Sequence, residues 1–227
     1  MNPTVIHVEE LCFDIKQNSR RILNDINFSL EREEFLVVMG SNGSGKSTLL
    51  KCINSELMPT KGKITIDKSI QKDEIVCLSQ SVNEHLCLGM TIAEHMRLYL
   101  MSHQDRKVST FDQFEYLSGF SKRLVNHYNK PVRHLSGGEK QILIFALLLL
   151  KKPKVLLLDE HTSALDSKMS RHVMNITSTI IRQKKLSVVM ITHDVSLAAD
   201  YGDRTFVMHE GKLEYDPHLS ARQKKNE

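Results

Sequence analysis

At 227 residues the chain is long enough for one large core, or a core with an inserted subdomain, and too short for two such cores in tandem. Its composition, 41% hydrophobic and 26% charged, excludes extensive disorder outside a polar tail. The net charge of +4 suits contact with anionic ligands or a membrane surface but does not demand nucleic acid, and no nucleic-acid partner is expected.

In chain order, residues 5–11 and 22–30 read as strands with a polar turn over 16–21, an antiparallel edge ahead of a central strand. The N-terminal stretch lacks the charged segment and apolar core of a secretory signal. The apolar run 35–39 predicts a strand, 40–48 a glycine-rich loop, and 49–53 the helix that follows. Further short strands are expected at 63–66 and 75–79. From about residue 81 the pattern turns helical, over 91–103 and more weakly 111–120, and no strand signal returns until Val155. A helical insertion between strands of a sheet domain accounts for this. A very apolar helix over 140–151 is stopped by Pro153, and its longest apolar run, 142–150, falls far short of the ~20 residues that span a bilayer. Residues 155–158 form a continuous apolar run, as in a parallel strand buried on both faces. A helix over 167–185, a strand over 187–191 and a hairpin from 205 to 215 complete the expected elements, with a frayed polar tail after 216. The four cysteines form no C-x-x-C pair, so neither a zinc site nor a disulfide framework is indicated and a reducing compartment is expected.

The chemistry begins at Gly40-Ser41-Asn42-Gly43-Ser44-Gly45-Lys46-Ser47-Thr48. Strand, glycine-rich loop and helix in that order, with the spacing G-x-x-x-x-G-K-[ST], make a phosphate-binding loop. Its glycines let successive backbone N–H groups turn toward phosphate oxygens at a helix N-terminus. Lys46 would reach the β- and γ-phosphates and Ser47 would ligate Mg²⁺. The competing reading is an ordinary Gly/Ser-rich turn. Asp159 and Glu160 end the 155–158 strand, where a parallel sheet presents its ligand edge. Asp159 suits Mg²⁺ either as a direct ligand or through a bound water, and Glu160 is placed to take a proton from, or to orient, a water attacking the γ-phosphate, the alternative being an acidic strand end paired with a lysine. Leu135-Ser136-Gly137-Gly138-Glu139-Lys140-Gln141 contains a capping box, which explains Ser136 and Glu139 but not two adjacent glycines. Gly137 and Gly138 leave backbone N–H groups open to a second anion, to which Ser136 can donate.

LSGGEKQ resembles the signature of ATP-binding-cassette (ABC) ATPases. Gln80 is similar to that family's Q-loop glutamine, Ser163-Ala164-Leu165-Asp166 to its D-loop, and His193 to its switch histidine; the resemblance runs from about residue 5 to 215. It implies an α/β fold: a P-loop NTPase (RecA-like) core with a mostly parallel sheet and an N-terminal antiparallel β subdomain over 1–80 and 151–215, and an inserted α-helical subdomain over 81–150. It implies two chains enclosing two ATPs, each held by the phosphate loop of one chain and the signature of the other. By position, Lys46 and the loop amides bind phosphate, Ser47, Gln80 and Asp159 serve Mg²⁺, Glu160 is the base and His193 contacts the γ-phosphate. Ser136 and Gly138 would act on the opposite chain's ATP, and Gly137 and Asp166 also belong to the implied nucleotide-binding set. The implied partners are a second copy, transmembrane permease subunits and an extracytoplasmic substrate-binding protein, at the cytoplasmic face of a bacterial inner membrane. The partly apolar loop 81–91 and the helical insertion would dock on the permease.

Departures from the family pattern are informative. Ile15 stands where an aromatic residue usually stacks on adenine, with Phe13 two residues earlier; Glu33 replaces a common glycine; His161 replaces the usual proline after the base. The run 157–166, with 190–193 and 201–204, resembles a subgroup of bacterial importers labelled for tryptophan or tyrosine uptake. The alternative function is a soluble ABC ATPase of cofactor assembly or another non-transport process. A non-catalytic binding module would not need Lys46, Asp159, Glu160 and His193 together.

Overall fold

The computed structural model describes residues 3–15, 20–79, 81–101 and 112–219. Nine strands run in chain order: β1 (Thr4–Ile15), β2 (Arg20–Glu31), β3 (Phe35–Gly40), β4 (Lys61–Ile66), β5 (Ile75–Leu78), β6 (Val155–Asp159), β7 (Ser187–Ile191), β8 (Arg204–His209) and β9 (Lys212–Tyr215). The longer helices are α1 (Lys46–Ile53), α2 (Ile92–Met101), α3 (Gln113–Ser118), α4 (Lys122–Asn126), α5 (Gly137–Leu149), α6 (Ser167–Lys184) and α7 (Val195–Tyr201). The chain divides into two units, one comprising Met1–Cys77, Lys154–Glu160 and Ile181–Glu227, the other Leu78–Pro153 and His161–Ile180.

The first unit holds both sheets. The larger has the order β5-β6-β7-β3-β8-β9, with β6, β7, β3 and β8 paired in parallel and β9 closing it antiparallel. Every side chain from Val155 to Leu158 is fully buried, as the unbroken apolar run requires; each such side chain contributes roughly 1.5–3 kcal/mol. Because parallel strands share a direction, the C-terminal ends of β3, β6 and β7 open on one edge. The antiparallel pairing of β1 with β2 follows the sequence expectation, but the pair is not an edge of the main sheet. It forms a separate three-stranded sheet in the order β2-β1-β4, because β4 pairs antiparallel along the free side of β1. Ile6, Leu11, Leu23, Ile26 and Leu30 of this sheet pack in one apolar cluster with Leu36, Val38, Leu50 and Val189.

The second unit is helical. In α5, Ile142 to Leu149 are buried all round, and the Tyr116 hydroxyl donates to the Ala146 carbonyl at 2.6 Å. This helix starts three residues earlier than the expected Lys140, because the Ser136–Glu139 capping box closes its first turn at Gly137. Two helices had no sequence prediction, α4 and α7, of five and seven residues; each starts at a side-chain cap, Ser121 or Asp194, and is too short for a periodic signal. Among the described residues no helix is long and apolar enough to cross a membrane. The predicted turn at 16–19, the end of the helix expected over 91–103 and the tail beyond 219 lie outside the described residues.

Candidate active site

The end of β3 places the phosphate loop. Gly40 has φ +149°, and a methyl group there would stand 2.3 Å from the Met208 carbonyl oxygen on the adjacent β8, so only glycine fits. Gly45, at φ +114°, precedes the first residue of α1 and hands the chain from loop to helix. Ser41, Asn42 and Gly43 are exposed, Ser44, Gly45 and Lys46 are buried, Ser47 is exposed and Thr48 half-buried. The Ser44 hydroxyl has no hydrogen-bond partner although it is buried. An orphaned buried hydroxyl in a glycine-rich loop at a helix N-terminus fits a loop built to close on an anion.

Lys46 is 5% exposed and folds back on its own loop, its Nζ donating to the carbonyls of Gly40 and Ser41 at 2.9 Å each. The same ammonium lies 3.9 Å from Oε1 of Glu160. The Ser47 hydroxyl donates to Oδ1 of Asp159 at 3.3 Å, joining the α1 start to the β6 end. Burial pushes the Asp159 carboxyl above its ordinary pKa; the Ser47 hydroxyl opposes that shift and Glu160 adds to it. A hydroxyl and a carboxylate, both hard oxygen donors, fit Mg²⁺, which takes one or two protein ligands and completes its shell with phosphate and water.

Glu160 has φ +47°, the left-handed region that costs a residue with a Cβ roughly 1–2 kcal/mol. Its N–H donates to the Ile191 carbonyl at 3.1 Å, pinning the turn after β6 to the end of β7. Two residues on, His193 is exposed, with Nδ1 3.6 Å from Oε2 of Glu160. The Thr192 hydroxyl accepts from the Asp194 N–H at 3.1 Å, and Asp194 caps α7, so His193 sits between two anchored neighbours. One carboxylate therefore faces a lysine on one oxygen and a histidine on the other.

The signature and D-loop residues form a second group in the helical unit. Ser136 and Gly137 are exposed and Gly138 is buried. The Ser136 oxygen accepts from the Glu139 N–H while the Glu139 carboxylate accepts from the Ser136 N–H, so the capping box is real, and against the burial that raises it the Ser136 backbone and hydroxyl both hold the Glu139 pKa below its ordinary value. Asp166 caps α6 by accepting from the N–H groups of Lys168 and Met169 at 3.1 and 3.0 Å.

A model of the ABC transporter family matches residues 23–163, more than half of the chain. The chain belongs to the ABC transporter family. A tyrosine transport ATP-binding protein of Clostridioides difficile is 33% identical over 214 residues, covering 86% of this chain and 83% of its own. The lipoprotein-releasing system ATP-binding protein LolD of Rickettsia conorii is 34% identical, covering 87% of this chain and 92% of its own. In structure, cbiO1 of Clostridium perfringens, part of the ABC transporter complex cbiONQ, superposes with a TM-score of 0.82 at 26% identity, covering 92% of this chain and 86% of that one. The chain is the ATP-binding, ATP-hydrolysing subunit of an ABC transporter. Subunits of this family dimerise and work with transmembrane permease components.

Gln80 lies outside the described residues. Phe13 packs against the apolar cluster of the first unit, and Ile15 is half-buried on the last rung of the β1–β2 ladder, opposite Arg20. Glu33 occupies the left-handed region at φ +60°, a conformation that a glycine adopts without strain. His161 is buried with no partner at Nε2, and burial lowers its pKa to about 4, so the imidazole is neutral. Sequence reasoning missed the Ile191 carbonyl that holds Glu160 and the side chains of Leu165 and Met169 beneath the signature glycines. Leu165 lies within the D-loop motif; nothing in the sequence marked Met169.

Proposed function

We propose that Glu160 is the general base of ATP hydrolysis, that Lys46 and the amides of 40–48 hold the phosphates, and that His193 orients the γ-phosphate. The reading is carried by the meeting of Lys46 and His193 on opposite oxygens of the Glu160 carboxylate, 3.9 and 3.6 Å away. Water attacks the γ-phosphorus, the bond to the bridging oxygen of ADP breaks, and the water proton passes to the Glu160 carboxylate. Ser47 and Asp159, with Gln80, would hold Mg²⁺, which when bound neutralises charge on the β- and γ-oxygens. Ser136, Gly137, Gly138 and Asp166 act on the ATP held by a second copy, with residues 81–150 as the helical signature subdomain and 1–80 with 151–215 as the nucleotide core.

The cargo is a small, amino-acid-like solute, taken up with an extracytoplasmic substrate-binding protein while this subunit sits beneath its permease at the cytoplasmic face of the membrane. The named tyrosine-transport relative supports this reading. Glu160→Gln tests the core of it. The variant should still bind ATP, accumulate an ATP-bound dimer and lose most turnover; unchanged hydrolysis removes Glu160 as the base. Reconstitution with the permease and labelled tyrosine tests the cargo, and absence of ATP-dependent uptake overturns it.

A further inference from the structure

The two signature glycines have different surroundings. Gly137 is exposed, and a methyl group added to it would lie 3.0 Å from Cδ2 of Leu165. Gly138 is buried, and a methyl group there would lie 2.5 Å from Sδ and 2.7 Å from Cγ of Met169. Both distances at Gly138 are below any ordinary carbon–sulfur or carbon–carbon contact. The next neighbour, Cγ2 of Val173, is at a comfortable 3.5 Å, so the obstruction at Gly138 is one side chain.

That side chain is not free to wander at its root. The Met169 N–H is bound by the Asp166 carboxylate at 3.0 Å, the Ser170 N–H donates to the Asp166 carbonyl at 2.8 Å, and the Leu165 N–H donates to the Thr162 carbonyl at 3.1 Å. The D-loop is thus a hydrogen-bonded turn running directly into a capped helix. Leu165, from the turn, covers Gly137; Met169, from the first turn of the helix, covers Gly138.

We infer that Met169, with Leu165, is a positioning residue that fixes the signature helix start to the D-loop, and that Gly138 is glycine because Met169 occupies the space of a Cβ. Two glycines in succession then divide the work: Gly137 keeps an open face toward an anion, and Gly138 gives the close approach that sets where this face stands. A displacement of Asp166 carries Leu165 and Met169 with it and moves the amides of Ser136 to Gly138. The inference rests on the reading that the signature completes the ATP site of a second copy.

The experiment is a rescue series in the full-length Glu160→Gln chain, read by ATP-dependent dimer formation, nucleotide affinity of the monomer, and hydrogen exchange of segments 135–141 and 163–169. Gly138→Ala should lower the dimer fraction at saturating ATP by roughly tenfold with monomer affinity unchanged. It should also raise exchange in both segments, because the added methyl displaces Met169 and the cap beneath it. Adding Met169→Ala, which deletes both obstructing atoms, should restore the dimer to within about threefold of Met169→Ala alone and return exchange toward the parent. The inference is overturned if Gly138→Ala dimerises like the parent, if its exchange change stays within 135–141, or if Met169→Ala gives no rescue. Ser136→Arg blocks the anion face without touching Met169, so it should abolish the dimer beyond rescue. A Ser136→Arg dimer that forms normally defeats the shared-site reading, while the exchange data still judge the packing.

Discussion

Asp203 offers a quantitative test of what holds the phosphate loop's strand in place. Its carboxylate, 11% exposed, accepts from the N–H of Phe35 at 2.8 Å and from both terminal nitrogens of Arg182 at 2.7 and 2.9 Å. Phe35 is fully buried and begins β3, the strand that ends at Gly40. Asp203→Ala leaves that N–H without its acceptor, at a cost of about 1–3 kcal/mol. The Arg182 side chain is 46% exposed and recovers solvent, so losing the pair adds only about 0.5–1 kcal/mol. The sum, about 2–4 kcal/mol, corresponds to a fall in the thermal midpoint of roughly 4–16 °C for a chain of this size. Asp203→Asn keeps an acceptor for Phe35 and should lose about half as much. Differential scanning calorimetry and urea unfolding measure the change, and ATP affinity of the folded variant should stay within about twofold, because the loop lies at the far end of the strand. A loss below about 1 kcal/mol, or weakened ATP binding with unchanged stability, refutes the assignment.

Ile15→Tyr should tighten adenine-nucleotide binding by about 1 kcal/mol if stacking is missing on β1, measured by calorimetric titration; no change means that another residue already stacks. Gly40→Ala should abolish ATP binding, since its methyl would collide with the Met208 carbonyl at 2.3 Å, and retained affinity would refute the need for glycine there. His85 accepts from the Ser79 N–H at 3.3 Å through Nε2, and burial holds its pKa below the ordinary value, with Lys151 adding to the shift and Glu84 opposing it. The unfolded chain therefore takes up the proton first as pH falls below about 6.5, so this contribution is present above that pH and lost beneath it. Protection of the Ser79 amide should decline across that range, and His85→Gln should flatten the dependence; an unchanged profile in the variant rules His85 out.

Local rules carried the sequence reading a long way. An unbroken apolar run gave β6 and glycine spacing gave the phosphate loop, because each depends on a few consecutive residues; the α5 start is expected at Lys140, although the capping box sets it at Gly137. The relation between elements was harder to read. Strand periodicity identified β1, β2 and β4 but could not say that they make a sheet of their own, since the pairing of β4 with β1 joins residues as far apart as Ile6 and Ile66. The ion pairs at the starts of β3 and β8 belong to the same class: Arg204 meets Glu34 across 170 positions, and Arg182 meets Asp203 only because α6 and the start of β8 return to the same end of β3.

The site itself depends on one such long-range choice. Had β6 not lain beside β7, the turn after it would have had no β7 carbonyl to bind. With the two strands paired, the Ile191 carbonyl takes the Glu160 N–H. That bond closes a left-handed residue that the chain would otherwise avoid, and it draws His193, two positions past Ile191, to the carboxylate. The conformation of Glu160 was invisible in the sequence because glutamate has no preference for it; the strand order supplies the compensation. Glu160, Lys46 and His193 could each be named from motifs, but their meeting on one carboxylate is a property of the order β6-β7-β3.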